Sequence, residues 1–334
     1  MSDRVRPQFD LQELVNEYGL GSVRSARKAE GGEVNENWIV RTTTGTVVVR
    51  GVANSRSLKD IHFEHSFIRA LGRDGFPYRL PQPLRTRAGR AVLMKNGVYV
   101  WLYNYIEGSN SRASGEALVA QMAHAMALAH VAARRFSLRR ANGAPNALEH
   151  PWLLQTLRRW QLKLVNDANE HHRFFRTHVQ ECIAILEQLR CTRYSALPRL
   201  PIHGDMCRAN LVFSGERLWG IIDFGHSCWD TAVRDIAIAL RYECTNSRDM
   251  FRLDLPAARR FVKIYHQINP LTREEIDLIP AIAIAEAADL FWWRIFQIAN
   301  KRPEAPSIRQ LEHPFKALRW YHRHQREIAR ALHV

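Results

Sequence analysis

The sequence predicts an α+β chain in two parts, a small antiparallel β-sheet in the first third and a mainly helical body after it. Three observations carry this. Thr44-Gly45 and Asn96-Gly97 each separate two short runs rich in β-branched and aromatic residues, and both lie before residue 105. Apolar residues recur at helical spacing from residue 116 onward. Between residues 200 and 225 one further strand–turn–strand unit carries acids and an amide at its ends. The expected division is 1–106 for the sheet lobe and 107–334 for the helical lobe, hinged at 104–110.

The elements follow in order. Residues 10–18 read as a short helix stopped by Gly19, and 30–37 as a Gly- and Asn-rich turn. Trp38-Ile39-Val40 and Thr46-Val47-Val48-Val49-Arg50 form the first hairpin, and a helix over 58–71 carries Glu64. Residues 90–95 and 98–103 form the second hairpin, which runs into Asn104-Tyr105-Ile106. Helices are then expected over 116–134, 151–165, 234–242, 256–268, 273–300 and 310–332, the second opening on Pro151.

The chemistry lies in His203-Gly204-Asp205-Met206-Cys207-Arg208-Ala209-Asn210, followed by Ile222-Asp223-Phe224-Gly225. Leu211-Val212-Phe213 and residues 218–222 read as a hairpin, which brings Asn210 and Asp223 together at its open end. Two oxygen donors at adjacent strand ends suit Mg²⁺. Asp205 stands where it could accept a proton from an attacking hydroxyl. Protein kinases place D-x-x-x-x-N and D-F-G in these roles. A lone H-G-D reads more readily as a polar surface turn; the second Asp, after an apolar strand and inside a literal D-F-G, reverses that preference toward phosphoryl transfer. In the same scheme a cation on the third strand reaches the non-transferred phosphates and pairs with a helix Glu, which points to Arg50 and Glu64. The turn with Gly31, Gly32 and Asn35 suits a loop that closes on phosphates through backbone N–H groups, although it is neither G-x-G-x-x-G nor a Walker loop.

These motifs resemble those of the aminoglycoside phosphotransferase and choline kinase superfamily, the small-molecule kinases with a protein-kinase-like bilobal fold. The resemblance implies that Asp205 is the catalytic base, that Asn210 and Asp223 bind metal, and that Asp235, in the looser segment 229–237, braces the loop from within. His203 is implied to shape the loop, and the backbone of Asn104, Tyr105 and Ile106 to hold adenine. Residues 210–224, the Leu271-Thr272-Arg273-Glu274-Glu275 run, the 136–142 segment and Trp152 are most similar to the homoserine kinase branch, which reads differently at Gly225-His226-Ser227-Cys228. Its implied cofactors are ATP and Mg²⁺.

Composition bounds the rest. The chain has 334 residues, 46% of them hydrophobic, enough for two lobes with cores. Lys and Arg number 48 against 33 Asp and Glu, a net charge of +15. Only seven of the 48 are Lys and the Arg are scattered, so a solvated basic surface is favoured over a nucleic-acid site. No apolar run reaches the roughly 18 residues of a membrane span. Five Cys without a C-x-x-C pair fit reduced thiols and a cytoplasmic setting, and Cys207 reads as a packing residue.

The acceptor is the open question. Glu286, Asp289, Trp292 and Trp293 share one helical stretch, where carboxylates beside aromatics suit an ammonium group, although core Trp and solvent-facing acids would give the same pattern. His226 is a further candidate. The expectation is an ATP-dependent small-molecule kinase acting on a homoserine-like amino acid or amino alcohol. An aminoglycoside or other antibiotic phosphotransferase, a choline or ethanolamine kinase, and a pseudokinase binding module stay open. A protein kinase does not, because the dozen residues from Asp223 to Asp235 leave no room for an activation segment.

Overall fold

Helix α1 (Leu11–Glu17) opens on Asp10, whose carboxylate accepts the N–H groups of Gln12 and Glu13. The computed structural model describes residues 8–29, 36–53, 56–73, 75–109, 115–136, 148, 151–164, 169–189, 192–246, 248–300 and 306–334. Gly31, Gly32, Asn35, the 137–142 segment and Cys191 lie outside the described residues.

Strands β1 (Val23–Lys28), β2 (Glu36–Thr42) and β3 (Thr46–Ala53) are followed by helix α2 (Leu58–Arg73), then β4 (Leu93–Lys95) and β5 (Val98–Asn104). They pair antiparallel in the order β1-β2-β3-β5-β4. At the β4–β5 turn Asn96 and Gly97 both take positive φ, 49° and 75°, as a two-residue hairpin of this hand requires. Strand β1 was not foreseen. It is an edge strand whose side chains are almost all exposed, so it carries no apolar alternation.

Strand alternation gives the sheet two faces. Val47, Val49, Val100 and Leu102 pack with Leu14 and Val15 of α1 into one core. Val52, Trp101 and Tyr103 face the other way and join the larger core of the helical body. Arg50, in phase with Val48 and Val52, is therefore drawn inside.

The helical body begins with α3 (Glu116–Ala133), α4 (Trp152–Lys163) and α5 (Glu170–Gln188), the last also unforeseen. Strand β6 (Arg199–Ile202) pairs antiparallel with β9 (Cys228–Thr231), and between them β7 (Leu211–Ser214) and β8 (Arg217–Ile221) form the expected hairpin. Helices α6 (Ala232–Glu243), α7 (Leu255–Ile268), α8 (Arg273–Ala299) and α9 (Ile308–Leu332) complete the chain. The Thr272-to-Glu275 run forms a reciprocal cap at the start of α8: Thr272 Oγ1 accepts the Glu275 N–H at 3.2 Å and the Glu275 carboxylate accepts the Thr272 N–H at 2.7 Å. None of the described helices is long and apolar enough to cross a membrane.

Two short backbone links fasten the sheet region to the β7–β8 hairpin. Arg79 donates to the Trp219 carbonyl (2.8 Å) and accepts from Ile221 (3.0 Å), while Ser109 and Phe213 exchange both of their bonds. The cleft between sheet and body thereby gains a fixed floor.

Candidate active site

The chain leaves β6 into His203-Gly204-Asp205 and returns through β7–β8 to Asp223, so the pairing of β6 with β9 sets both loops side by side. Gly204 has φ +79°, and a Cβ there would stand 2.2 Å from the His226 carbonyl oxygen, so the close approach of the loops requires glycine. Asp223 adopts the left-handed conformation, φ 59° and ψ 62°, with its own carboxylate accepting the Gly225 N–H at 3.3 Å. Among residues with a side chain, Asp is one of those that tolerate this region.

Asn210 connects the loops. Its carbonyl accepts the Ile222 N–H at 2.9 Å. Its Nδ2 donates to the Asp205 backbone oxygen at 2.8 Å and to Asp205 Oδ2 at 3.0 Å. The amide nitrogen is thus committed to fixing Asp205, and Oδ1 remains as a lone-pair ligand at the cleft. Burial raises the Asp205 carboxyl, as does the charge of Asp223, while His226, His203 and the Asn210 bond act the other way; the net direction is up.

His203 accepts the Asp205 N–H at Nδ1 (3.3 Å), so its Nε2 carries the hydrogen given to the Ile222 carbonyl at 3.0 Å. Its ring also packs against Phe224, with centroids 4.6 Å apart. Asp235 is fully buried and accepts the N–H groups of His203 (2.8 Å) and Gly204 (2.7 Å). His130 Nε2 of α3 adds a third bond at 3.1 Å. Behind it the Tyr265 hydroxyl stands 2.7 Å from His130 Nδ1 and accepts from Asn269 at 2.5 Å. Burial alone would raise the Asp235 carboxyl; the bond and charge of His130 and the loop amides outweigh it and hold it low. No motif announced His130, Tyr265 or Asn269.

Arg50 reaches two carboxylates. Its Nη2 lies 2.5 Å from Asp223 Oδ1, its Nη1 3.4 Å from Glu64 Oε1, and its Nε donates to Asn37 Oδ1 at 3.1 Å. The pairing with Glu64 is present, but the bond to Asp223 is the shorter. Asn37 and Arg50 are register partners on β2 and β3, a relation that the linear sequence does not display. Burial pushes the Asp223 carboxyl up, yet the Arg50 charge and bond reverse this and hold it well below the usual carboxylate range. Glu64 also binds Arg56 Nη1 at 2.5 Å and accepts a short bond from the Tyr103 hydroxyl.

A cavity of about 570 Å³ opens between sheet and body over these groups. Ile39, Val48, Val212 and Ile222 give it apolar walls, the Asn104-Tyr105-Ile106 segment lines one side, and Arg50, Asn210 and Asp223 close one end. The Ile106 N–H bonds no backbone carbonyl among the described residues. Asn210 Oδ1 and Asp223 Oδ2, the latter without a hydrogen bond among the described residues, are hard oxygen ligands that suit a divalent cation. Among the described residues no group of three His, Cys, Asp or Glu could hold a metal by itself, so phosphate and water oxygens would complete its shell.

The acceptor candidates divide. His226 is exposed beside the Asp205 loop. Glu286, Asp289 and Trp293 lie on α8, and none of them lines the 570 Å³ cavity. Glu286 accepts from Arg234 Nε at 2.8 Å, and Arg234 Nη1 also reaches Asp230 at 2.9 Å. The Asp289 carboxyl is pushed up to about 7, by burial first and then by Glu286. Trp293 stacks on Phe296 with centroids 5.4 Å apart, and Trp292 packs edge-on against Trp152 at 5.7 Å.

The phosphotransferase enzyme family matches residues 25–271. The chain is 27% identical over 295 residues to a homoserine kinase of Methylobacterium radiotolerans, spanning 88% of this chain and 87% of that one. It is 28% identical over 282 residues to a homoserine kinase of Methylobacillus flagellatus, spanning 84% and 82%. Among solved structures it shares its fold with an amicoumacin kinase in complex with AMP-PNP, Ca²⁺ and its ligand, at TM-score 0.65 and 16% identity, covering 96% of this chain and 94% of that one. A microcompartment-associated aminopropanol kinase matches at TM-score 0.65 and 15% identity, covering 95% and 97%.

Proposed function

The chain belongs to the phosphotransferase enzyme family and is a small-molecule kinase, and from that premise we propose that it moves the γ-phosphoryl group of ATP to the side-chain hydroxyl of a homoserine-like amino acid. The observation that carries the reaction is the convergence of Asn210, Asp223 and Arg50 at one end of a nucleotide-sized cleft, with Asp205 held beside them by its bond from Asn210. In this reading residues 1–106 form the nucleotide-holding lobe, 107–334 form the catalytic body, and 104–110 is the hinge.

The apolar walls take the base, whose edge meets the Ile106 N–H, which bonds no backbone carbonyl among the described residues, and the backbone beside it. Arg50 binds the non-transferred phosphates in a planar fork, held by Glu64. A divalent cation, Mg²⁺ in this reading, would be held by Asn210 Oδ1 and Asp223 and would neutralise charge on the phosphates. Asp205 accepts a hydrogen bond from the acceptor hydroxyl. As the new O–P bond forms, the hydroxyl proton passes to Asp205, and the bond from the γ-phosphorus to the bridging oxygen breaks, its electron pair leaving with ADP. The upward displacement of the Asp205 carboxyl makes it a better proton acceptor. Asn210 Nδ2 fixes the orientation of that carboxylate, and Asp235 fixes the loop that carries it.

Two lines support an amino-acid acceptor. The two relatives described above, matched over 87% and 82% of their length, are homoserine kinases. On α8, Glu286 is matched by Arg234, which leaves the Asp289 carboxyl, with Trp293 one turn away, as the group suited to an ammonium. The test is a panel of homoserine, serine, choline, ethanolamine and aminoglycosides, assayed for ADP release with Mg-ATP. Homoserine should show the highest kcat/KM, by about tenfold or more over the other arms, a difference of about 1.4 kcal/mol. A faster rate with choline or an aminoglycoside would overturn the acceptor, and no transfer to any of them would overturn the reaction.

A further inference from the structure

Arg56 stands just ahead of α2 and matches no motif. Its Nη1 binds Glu64 Oε2 at 2.5 Å, while Arg50 takes Oε1. One carboxylate with a side-chain exposure of 1% therefore carries two guanidinium groups and the Tyr103 hydroxyl. That is one cation more than is needed to position Arg50. The three charged groups converge on a single place: a Cβ on Gly225 would stand 3.0 Å from Asp223 Oδ1, 3.5 Å from Arg50 Nη1 and 3.8 Å from Arg56 Nη1. The Arg56 side chain keeps 15% exposure against 4% for Arg50, and it makes no second hydrogen bond among the described residues. The cluster is balanced as it stands, two guanidinium groups against two carboxylates. A divalent cation engaging Asp223 would leave it with surplus positive charge beside the cleft, which an anion must match.

We infer that Arg56 is a second catalytic cation, directed at the transferred phosphoryl group, while Arg50 serves the phosphates that stay behind. The inference rests on the kinase reading above. As the bond from the γ-phosphorus to the ADP oxygen breaks and the acceptor oxygen bonds to phosphorus, its proton going to Asp205, charge spreads over the three equatorial oxygens. A guanidinium already anchored by a buried carboxylate meets that charge without reorganising. Bracing of Glu64 does not by itself require Arg56, because Arg50 and Tyr103 already hold it.

The test uses the full chain with Arg56→Gln and Arg56→Lys. Binding of ADP and of a non-hydrolysable ATP analogue is measured calorimetrically with MgCl₂, beside steady-state transfer to the best acceptor. Arg56→Gln should bind ADP within about twofold of wild type, bind the analogue about tenfold or more weakly, and lose about 10²–10³ in kcat. Arg56→Lys should recover part of the analogue affinity, because the charge persists without the fork. Equal losses for ADP and analogue would mean that Arg56 only braces Glu64 and would overturn the inference, as would unchanged kinetics. Thermal denaturation of both variants separates these outcomes from misfolding, with the lysine variant carrying the test if the glutamine one does not fold. A wild type that binds neither nucleotide would sink the kinase reading as well; where wild type binds both, equal losses or unchanged kinetics in the variants sink only the role of Arg56.

Discussion

Replacing Asp235 by Asn tests whether the reactive loop is held from within the helical body. The carboxylate accepts three bonds, from His203 N–H, Gly204 N–H and His130 Nε2, in a fully buried site. An Asn side chain keeps one acceptor oxygen and turns an NH₂ group toward at least one of these donors. A buried bond to a charged group contributes about 1.5–3 kcal/mol, and removing one side of a buried charged arrangement costs about 3–5 kcal/mol. The expected loss is therefore about 3–5 kcal/mol, a large share of the ~5–15 kcal/mol available to a domain. The assay is urea denaturation followed by circular dichroism. The sign with pH follows from the depressed carboxyl: its stabilisation is complete above the unfolded-chain value of about 3.9 and is lost as pH falls through the lower folded value. The gap between wild type and variant should narrow in acid. A loss under about 1 kcal/mol, or a gap that widens as pH falls, refutes the reasoning. A double-mutant cycle with His130→Ala should give a coupling above about 0.5 kcal/mol.

Three further outcomes follow from the same geometry. Asp205→Ala should fold normally and lose about 10²–10⁴ in transfer rate by coupled ADP assay; turnover within tenfold of wild type would count against it as the base. Asp223→Ala should abolish the Mg-ATP-dependent rise in Tm and destabilise the chain by about 3 kcal/mol, because the buried Arg50 loses its nearer carboxylate; an intact ligand shift would remove Asp223 from the metal site. The Asp289 carboxyl, pushed up to about 7, disfavours its charged form in the folded chain, so its cost is absent below about pH 4 and grows as pH rises toward 7. Asp289→Asn should therefore gain about 1–2 kcal/mol over wild type at pH 8 and little at pH 4, read as Tm differences; equal differences at both would contradict the burial argument.

What could be read in the linear sequence is what local chemistry decides. The turn at Asn96-Gly97 and the apolar stripes of α3 and α7 are set by neighbours within a few residues. The order Asp205, Asn210, Asp223 is legible for the same reason, since one hairpin spans them. Strand β1 was hidden because an exposed edge strand needs no alternation, and β9 because four residues with a buried Asp230 owe their strand form to β6. Helix α5 opens on Glu170-His171-His172-Arg173, which masks the stripe of Phe175, Val179, Cys182 and Leu186 that follows. The bond from Arg50 to Asp223 spans 173 positions, and that from His130 to Asp235 spans 105. Such partners depend on how elements dock, which no window of sequence contains.

Helix α6 presents Arg234 and Asp235 at consecutive positions to opposite neighbours. Asp235 grips the loop from one side, and Arg234 ties α8 through Glu286 on the other. The anchoring of the reactive groups and the support of α8, which carries the acceptor group we propose, thus share a helix without sharing contacts. A lineage built on this plan could redesign α8 for a new alcohol while the phosphoryl machinery stayed in register. Changes that swap one substrate for another should therefore accumulate on α8 and the Arg234 side of α6, and spare the other flank.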